Sequence, residues 1–176
     1  EVVLMGRYSH FTSKPSNHDI KICEEAMLFF DVADLADRNY MTLSGGEKQR
    51  VHFARVLSQV WTSPNDECRY LFLDEPLTFL AVRYQFDFMN KIIQFMKAHR
   101  IIVIGVVHDL NLAARFADYI LLLNKGKVLA QGSANEVLNK KNIHAAYGLE
   151  PIEYKEGGHT FFFFQLPLPF IPAFQK

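Results

Sequence analysis

The chain has 176 residues, of which 49% are hydrophobic and 22% charged, and its 19 basic residues balance its 19 acidic ones. This length and composition are typical of one globular domain, and the zero net charge excludes a general electrostatic attraction to nucleic acid or to an anionic membrane. The apolar runs are shorter than the roughly 20 residues of a membrane-spanning helix, so we do not expect the chain to cross a membrane by itself.

The first part of the chain is predicted to be helical. Apolar residues recur every three or four positions over residues 19–30, which predicts an amphipathic helix, and residues 31–40 are expected to form a shorter helical or turn segment. The sequence Leu-Ser-Gly-Gly at 43–46 interrupts this pattern, and residues 47–58 are rich in helix formers. A loop therefore leads into a helix N-terminus near Glu47.

The rest of the chain alternates strands with helices. The apolar runs 69–73 and 101–107 predict buried parallel strands, and residues 82–98 between them predict a long helix. This order is the crossover unit of a parallel sheet. After these elements we predict a helix to about residue 116 and strands at 119–123 and 128–131. The spacing of Ser133 and Glu136 is that of a capping box, so a further helix is expected to begin there. Two strands are expected around Gly157-Gly158, with the aromatic run 161–164 on the core.

The first candidate site is the turn formed by Ser44, Gly45 and Gly46. Glycines let the backbone approach a ligand closely, and the helix that follows directs free N–H groups and its positive dipole end toward the turn. These features favour an anion, most plausibly a phosphate. An ordinary Ser-Gly-Gly helix cap is the alternative for these three residues taken alone.

The second candidate site is the pair Asp74 and Glu75 at the end of a predicted apolar strand. A buried strand could hold Asp74 beside a Mg²⁺ ion, while Glu75 points elsewhere and polarises an attacking water. A solvated turn is the alternative for two acids in this position.

The third candidate is His108, which follows the predicted strand 101–107. A histidine at a strand end beside the acidic strand could bond to a γ-phosphate. A structural or surface role is the alternative for a single histidine.

Together these residues resemble the motifs of ABC ATPases. The octet 43–50 resembles the family's signature motif, with Glu47 at its variable fifth place; residues 70–76 resemble the Walker B segment, and His108 resembles the switch histidine. The resemblance implies that Ser44, Gly45, Gly46 and Glu47 bind an ATP held mainly by a second copy. It further implies that Asp74 binds Mg²⁺ and that Glu75 is the general base, with His108 as the second catalytic residue.

The resemblance implies an α/β fold that is part of a P-loop NTPase domain, with a three-layer, mainly parallel sheet after Arg69. Residues 1–60 would be the helical subdomain with the signature, and residues 61–176 the C-terminal part of the ATPase core. The implied function is ATP hydrolysis by a homodimer docked on permease subunits, peripheral to the cytoplasmic face of the inner membrane. A periplasmic substrate-binding protein would be an indirect partner, and nucleic acid is not expected.

Within the family the chain looks similar to importers of iron chelates, haem and vitamin B12. The sequence Asp-Glu-Pro-Leu-Thr-Phe-Leu, the connection from Trp61 to Cys68 and the ending Gly-Leu-Glu-Pro-Ile-Glu-Tyr resemble hemin import ATPases. The alternatives are a siderophore or vitamin B12 importer, a soluble ABC protein of DNA repair or translation, and a catalytically dead interaction module. Residues 5–11 are a hypothetical permease contact.

The sequence departs from the family pattern in two respects. It contains no Gly-x-x-x-x-Gly-Lys-Ser/Thr, the phosphate-binding Walker A loop. We therefore expect a fragment of a longer protein that is inactive and poorly soluble alone. Ala81 stands where the family's D-loop aspartate follows Leu80, and Leu77 replaces the commoner threonine.

Overall fold

The computed structural model describes residues 1–62, 67–78 and 80–164. The chain divides into two compact units, Glu1–Val106 and Val107–Lys176, whereas the sequence predicted a boundary after residue 60. The first unit extends further because a parallel strand pair follows its helices in the same unit. Part of the Trp61 to Cys68 connection, Phe79 and the tail after residue 164 lie outside the described residues.

The first unit is mostly helical. It contains a 3₁₀ helix at Val3–His10, α1 at Asn17–Phe29, short 3₁₀ helices at Ala33–Leu35 and Tyr40–Thr42, α2 at Gly45–Gln59, β1 at Arg69–Asp74, α3 at Val82–Ala98 and β2 at Ile101–Val106. The three predicted helices and the two predicted strands of this region are all present. Helix α1 begins earlier than predicted because Ser16 and Asp19 form a capping box at its N-terminus.

Strands β1 and β2 form a parallel pair whose register runs from Arg69 opposite Ile101 to Asp74 opposite Val106. The predicted strand, helix and strand crossover is therefore confirmed, and Asp74 is the last residue of its strand. Beside this pair, the rings of Phe53 on α2 and Phe88 on α3 stack with centroids 3.8 Å apart.

The N-terminal 3₁₀ helix packs tightly against α1 and α2. Gly6 lies so close to α2 that an added Cβ would overlap the Arg55 carbonyl oxygen and Ser58 Oγ. The next residue, Arg7, is only 2% exposed. Its Nε lies 3.0 Å from Asp19 Oδ1, and its Nη1 donates to the Ser58 carbonyl oxygen at 2.8 Å. Arg7 therefore joins three helices by one buried guanidinium.

The second unit contains α4 at Leu110–Phe116, β3 at Ile120–Asn124, β4 at Lys127–Gly132, α5 at Ala134–Val137, α6 at Lys140–Tyr147, β5 at Pro151–Glu156 and β6 at His159–Phe164. Its core comprises Leu110, Leu122, Val137, Leu138, Ile143 and Phe162. Strands β3 and β4 form one antiparallel hairpin, and β5 and β6 form another.

The described strands form three separate two-stranded sheets, and only β1 and β2 are parallel. The α/β class is as predicted, but these residues do not by themselves build a mainly parallel sheet. A two-residue turn at Lys125 and Gly126, both with positive φ, makes the chain reverse direction after β3. The strand predicted at 119–123 therefore pairs with its hairpin neighbour.

Only one residue of the aromatic run at 161–164 is buried in the core. Phe162 is 4% exposed, whereas Phe163 and Phe164 are 55% and 42% exposed. The prediction that the whole run packs on the core is therefore wrong, because successive side chains of a strand point to opposite faces.

Large apolar side chains also lie exposed on the parallel pair. Those on β1 and β2 are Tyr70, Phe72, Ile102, Ile104 and Val106, and we call these five residues the exposed β1–β2 face. Among the described helices, none has the length and apolar character that a bilayer crossing would need.

Candidate functional site

The Ser-Gly-Gly turn forms the N-terminus of α2, as the sequence predicted. Ser44 is the N-cap residue: its Oγ accepts the Glu47 backbone N–H at 3.3 Å, and the Glu47 carboxylate accepts the Ser44 backbone N–H at 2.7 Å. The backbone N–H groups of Gly45 and Gly46 lie in the first helical turn, where an α-helix supplies no acceptor. These two groups are open to an incoming anion.

Glu47 takes part both in the helix cap and in an ion pair with Arg38 at the surface. Hydrogen bonding to the Ser44 side chain and then to the Ser44 backbone lowers the pKa of the Glu47 carboxyl, with a smaller contribution from Arg38. Arg38 Nη1 lies 3.2 Å from Glu47 Oε1. The carboxylate is therefore held in place by the cap, and it fixes the geometry of the turn that carries the two glycines.

A hydrogen bond supports the segment ahead of the turn. The Tyr40 hydroxyl lies 2.6 Å from His52 Nε2 on α2. Burial, and to a lesser extent Arg55, lowers the pKa of His52, which favours a neutral imidazole that can accept the hydroxyl proton. Tyr40 opens the 3₁₀ helix that precedes Leu43 and Ser44, so this bond ties the approach to the turn onto α2 itself.

Helix α2 also contacts the acidic turn after β1. Gln49 Nε2 donates to the Pro76 carbonyl oxygen over a long distance of 3.5 Å. Pro76 immediately follows Asp74 and Glu75. The first two predicted groups, the Ser-Gly-Gly turn and the paired acids, are therefore linked within one unit. No sequence pattern indicated Gln49, because it is 27 residues from its partner.

Asp74 lies at the carboxyl end of β1 with an exposed side chain. Among the described residues its carboxylate has no hydrogen bond or ion pair, so its oxygens can bind a cation. Hard carboxylate oxygens suit Mg²⁺, which binds one or two carboxylates and completes its shell with water and phosphate oxygens. The described residues contain no cluster of three or more His, Cys, Asp or Glu side chains that could hold a metal ion.

Glu75 begins the turn that follows the strand. Its backbone φ is 45°, in the left-handed region, and its Oε2 accepts the Thr78 hydroxyl at 3.2 Å. Asp74 ends the strand with extended backbone, whereas Glu75 begins the turn with positive φ. This arrangement permits different roles for the two acids.

His108 belongs to the second unit, where it is exposed and precedes α4. Its neighbour Asp109 caps α4, because Asp109 Oδ1 accepts the backbone N–H groups of Asn111 and Leu112 at 2.7 and 3.1 Å. The sequence motif had grouped Asp109 with His108 without assigning it this capping role. The catalytic role of His108 stays a prediction.

Two residues received no role of their own from the sequence: Arg50, the last residue of the octet 43–50, and Tyr84 on α3. Arg50 lies one turn after Gly46 on the same face of α2, and its Nε is buried without an acceptor among the described residues. Tyr84 on α3 lies beside it, with the Arg50 guanidinium carbon 5.7 Å from the ring centroid. The four-residue spacing of Gly46 and Arg50 could have indicated that they share one face of α2. No sequence pattern indicated that Tyr84 lies beside that face.

Comparison with curated proteins finds relatives over most of the chain. It is 47% identical over 153 residues to a hemin import ATP-binding protein, HmuV, of Gloeobacter violaceus. It is 43% identical over 150 residues to the HmuV protein of Bordetella avium. The matches cover 86% and 85% of this chain but only 55% and 57% of those relatives. The chain thus spans little more than half their length, and no family model matches it.

Comparison with solved structures also finds similarity to ABC transporter proteins. The chain matches an ATPase chain of a metal-chelate type ABC transporter in an inward-facing conformation, with TM-score 0.76 and 27% identity, over 93% of this chain and 64% of that one. An ATP-binding cassette of another ABC transporter matches with TM-score 0.67 at 18% identity, over 84% of this chain and 60% of that one. The second likeness concerns the fold alone.

Proposed function

This chain belongs to the ATP-binding proteins of ABC transporters, and we propose that it is part of a subunit that binds and hydrolyses ATP to power the uptake of haem or a related iron chelate. The observation that carries the proposal is the contact between α2 and the acidic turn through Gln49 and Pro76. It links the helix that begins at the signature turn to the acidic turn of the same chain, so the signature turn facing the second copy's ATP would be coupled to the acids that serve this chain's own ATP.

The Ser-Gly-Gly turn would bind the γ-phosphate. The open N–H groups of Gly45 and Gly46 supply two donors, and the dipole of α2 favours the negative charge. Ser44 Oγ accepts the Glu47 N–H at 3.3 Å. Its hydroxyl also hydrogen-bonds to the Glu47 carboxylate, so it would turn from Glu47 to a phosphate oxygen when the nucleotide binds. Glu47 takes part by holding Ser44 in this conformation.

The two acids would divide the remaining chemistry. Asp74 would hold Mg²⁺, which when bound neutralises charge on the phosphates. Glu75 would orient the attacking water and accept its proton. In the second unit, His108 would hydrogen-bond to the γ-phosphate. Hydrolysis also needs a Walker A loop, and the proposal assigns that loop to the part of the cassette that this chain does not span.

The signature turn would act across an interface with a second copy of the subunit, on an ATP held mainly by that copy. The dimer would dock on transmembrane permease subunits at the cytoplasmic face of the inner membrane, as a peripheral component. The surface of residues 5–11 is our candidate permease contact, since Met5 and Tyr8 are 48% and 60% exposed. A periplasmic substrate-binding protein would act only indirectly.

The general-base role is tested by Glu75→Gln in the complete ATPase. We expect ATP hydrolysis to fall by roughly 10²- to 10⁴-fold, because the substitution removes a positioned proton acceptor. ATP binding, measured by equilibrium dialysis, should persist. Glu24→Gln, at an exposed carboxylate of α1, is the matched control and should hydrolyse ATP at the normal rate. Full activity of the Glu75 variant would refute the assignment.

Cargo requires a separate assay, because no residue described here contacts it. The relatives named for hemin import support haem, whereas the solved neighbour is described more broadly as metal-chelate type. Uptake of hemin, a ferric siderophore and cobalamin by the reconstituted transporter would distinguish the candidates. We expect ATP-dependent uptake of hemin, and uptake of cobalamin alone would refute the haem assignment.

A further inference from the structure

A cavity of about 500 Å³ lies beside α2 within the first unit. One wall is the face of α2 that carries Gly46, Arg50 and Phe53, and another is formed by α3 over residues 83–94; Leu80 and Phe30 also line the cavity. Cavities of about 300 to 1,000 Å³ are typical of small-molecule sites. The size of this one is therefore sufficient for a small organic ligand.

Among the three cations that line the cavity, Arg50 is the one without an ion pair inside it, although its charge also acts on the Glu47 carboxylate nearby. Lys91 Nζ lies 2.9 Å from the Asp31 carboxylate, and Arg83 Nε lies 3.9 Å from that of Asp87. Arg50 has no hydrogen bond or ion pair within the described part of the chain, and its Nε is a buried donor without an acceptor. The Nη1 group of Arg50 borders the space beside Gly46, so the guanidinium can bind one anionic group of a ligand there.

The surroundings of Arg50 favour a planar ligand. The space that a side chain at Gly46 would occupy is bounded by Arg50 Nη1 at 3.9 Å and Tyr84 Cε2 at 4.0 Å. The Tyr84 ring is accessible, since the residue is 41% exposed. Phe53 and Phe88 are almost fully buried and form a rigid apolar base. A flat ring can stack on Tyr84 while its anionic group reaches Arg50.

We propose that this cavity binds a small aromatic carboxylate, with the carboxylate on Arg50 and the ring against Tyr84. The site goes beyond the proposed ATPase function, because binding there requires neither ATP nor a second copy of the subunit. A bare inorganic anion would satisfy Arg50 but would leave the aromatic wall without a contact.

The probe for this site is 4-fluorobenzoate, followed by ¹⁹F NMR titration of the complete ATPase without nucleotide. We expect saturable binding that Arg50→Gln weakens about tenfold or more, since it removes a charge-assisted hydrogen bond. Arg50→Lys should retain part of the affinity, and Tyr84→Ala should weaken binding several-fold. Lys97→Gln removes an exposed cation of α3 outside the cavity and should leave binding unchanged.

Two further probes test the chemistry on the unmodified chain, so that the test survives if a variant fails to fold. Methyl 4-fluorobenzoate keeps the ring without the charge, and fluoroacetate keeps the charge without the ring; each should bind at least about tenfold more weakly. The proposal is overturned if 4-fluorobenzoate does not saturate, if its ester binds equally well, or if the Gln variants at 50 and 97 behave alike.

Discussion

Ala81 occupies the N-cap position of α3, where its methyl side chain makes no capping hydrogen bond. The family resemblance had marked this position only because an aspartate normally follows Leu80 there. The structure adds a local consequence, which is that the first N–H groups of a 17-residue helix have no side-chain acceptor at the cap.

Ala81→Asp should therefore stabilise the chain. An aspartate N-cap accepts a first-turn N–H and interacts favourably with the helix dipole, which together raise the free energy of unfolding by about 1 kcal/mol. Urea denaturation would measure the change. Ala98→Asp places the same residue at the last position of α3, where the dipole disfavours it. Stabilisation of equal size by both substitutions would contradict the capping explanation.

Local residue patterns predicted caps better than they predicted contacts between segments. The spacing of Ser133 and Glu136 predicted a capping box, and the Glu136 carboxylate accepts the Ser133 backbone N–H at 2.8 Å. Contacts such as Gln49 to Pro76 and Arg50 to Tyr84 join residues far apart in sequence. Nothing in a single sequence specifies such pairs, because they depend on how two helices or a helix and a turn pack.

At the scale of elements, the packing of the N-terminal 3₁₀ helix depends on Gly6. An added methyl group would overlap backbone and side-chain atoms of Arg55 and Ser58, and a well-packed helix can move only at the expense of its other contacts. Arg7, the next residue of this 3₁₀ helix, forms a buried ion pair with Asp19 of α1, and that pair would be disturbed by the movement.

Gly6→Ala is therefore expected to destabilise the first unit by about 1–3 kcal/mol, the usual cost of overpacking. Gly45→Ala is the matched control, since no atom lies within 4 Å of its added Cβ. It should be neutral, or stabilising by up to about 1 kcal/mol through reduced chain entropy. Thermal unfolding followed by circular dichroism would measure both, and equal effects of the two substitutions would count against the close-packing account.

The helices and strands were largely predictable because their apolar periodicity matches their burial. Helix α3 has the predicted bounds, and α1 and α2 differ by one or two residues at caps. The N-terminal 3₁₀ helix was not predicted, since it has no regular period and is held by Gly6 and Arg7. Pairing of β3 with β4 followed from the turn at Lys125 and Gly126, whereas the mainly parallel sheet did not form from these strands.

At the scale of the whole molecule, every described sheet has two strands, so each strand keeps an open edge. The exposed β1–β2 face adds large apolar side chains to those edges, with Phe72 71% exposed and Ile104 47% exposed. Contiguous apolar surface and unpaired edges both promote association between copies.

We expect the 176-residue chain to aggregate in isolation. Replacing Phe72 and Ile104 by threonine should increase the monomer fraction in size-exclusion chromatography with light scattering, because threonine keeps strand propensity while reducing apolar area. Leu28→Thr changes an exposed leucine of α1 and should have little effect. A sharp, reversible thermal transition of the unmodified chain as a monomer would contradict this expectation.

At Glu75, the residue type that would be most stable differs from the residue type that the proposed chemistry needs. A left-handed φ of 45° is unfavourable for a residue with a Cβ, by about 1–2 kcal/mol, whereas glycine adopts it freely. A more relaxed chain would therefore carry glycine here and would have no carboxylate. If Glu75 is the general base, the free-energy cost of its left-handed backbone is a loss of stability that the folded protein bears in order to keep a carboxylate at this position.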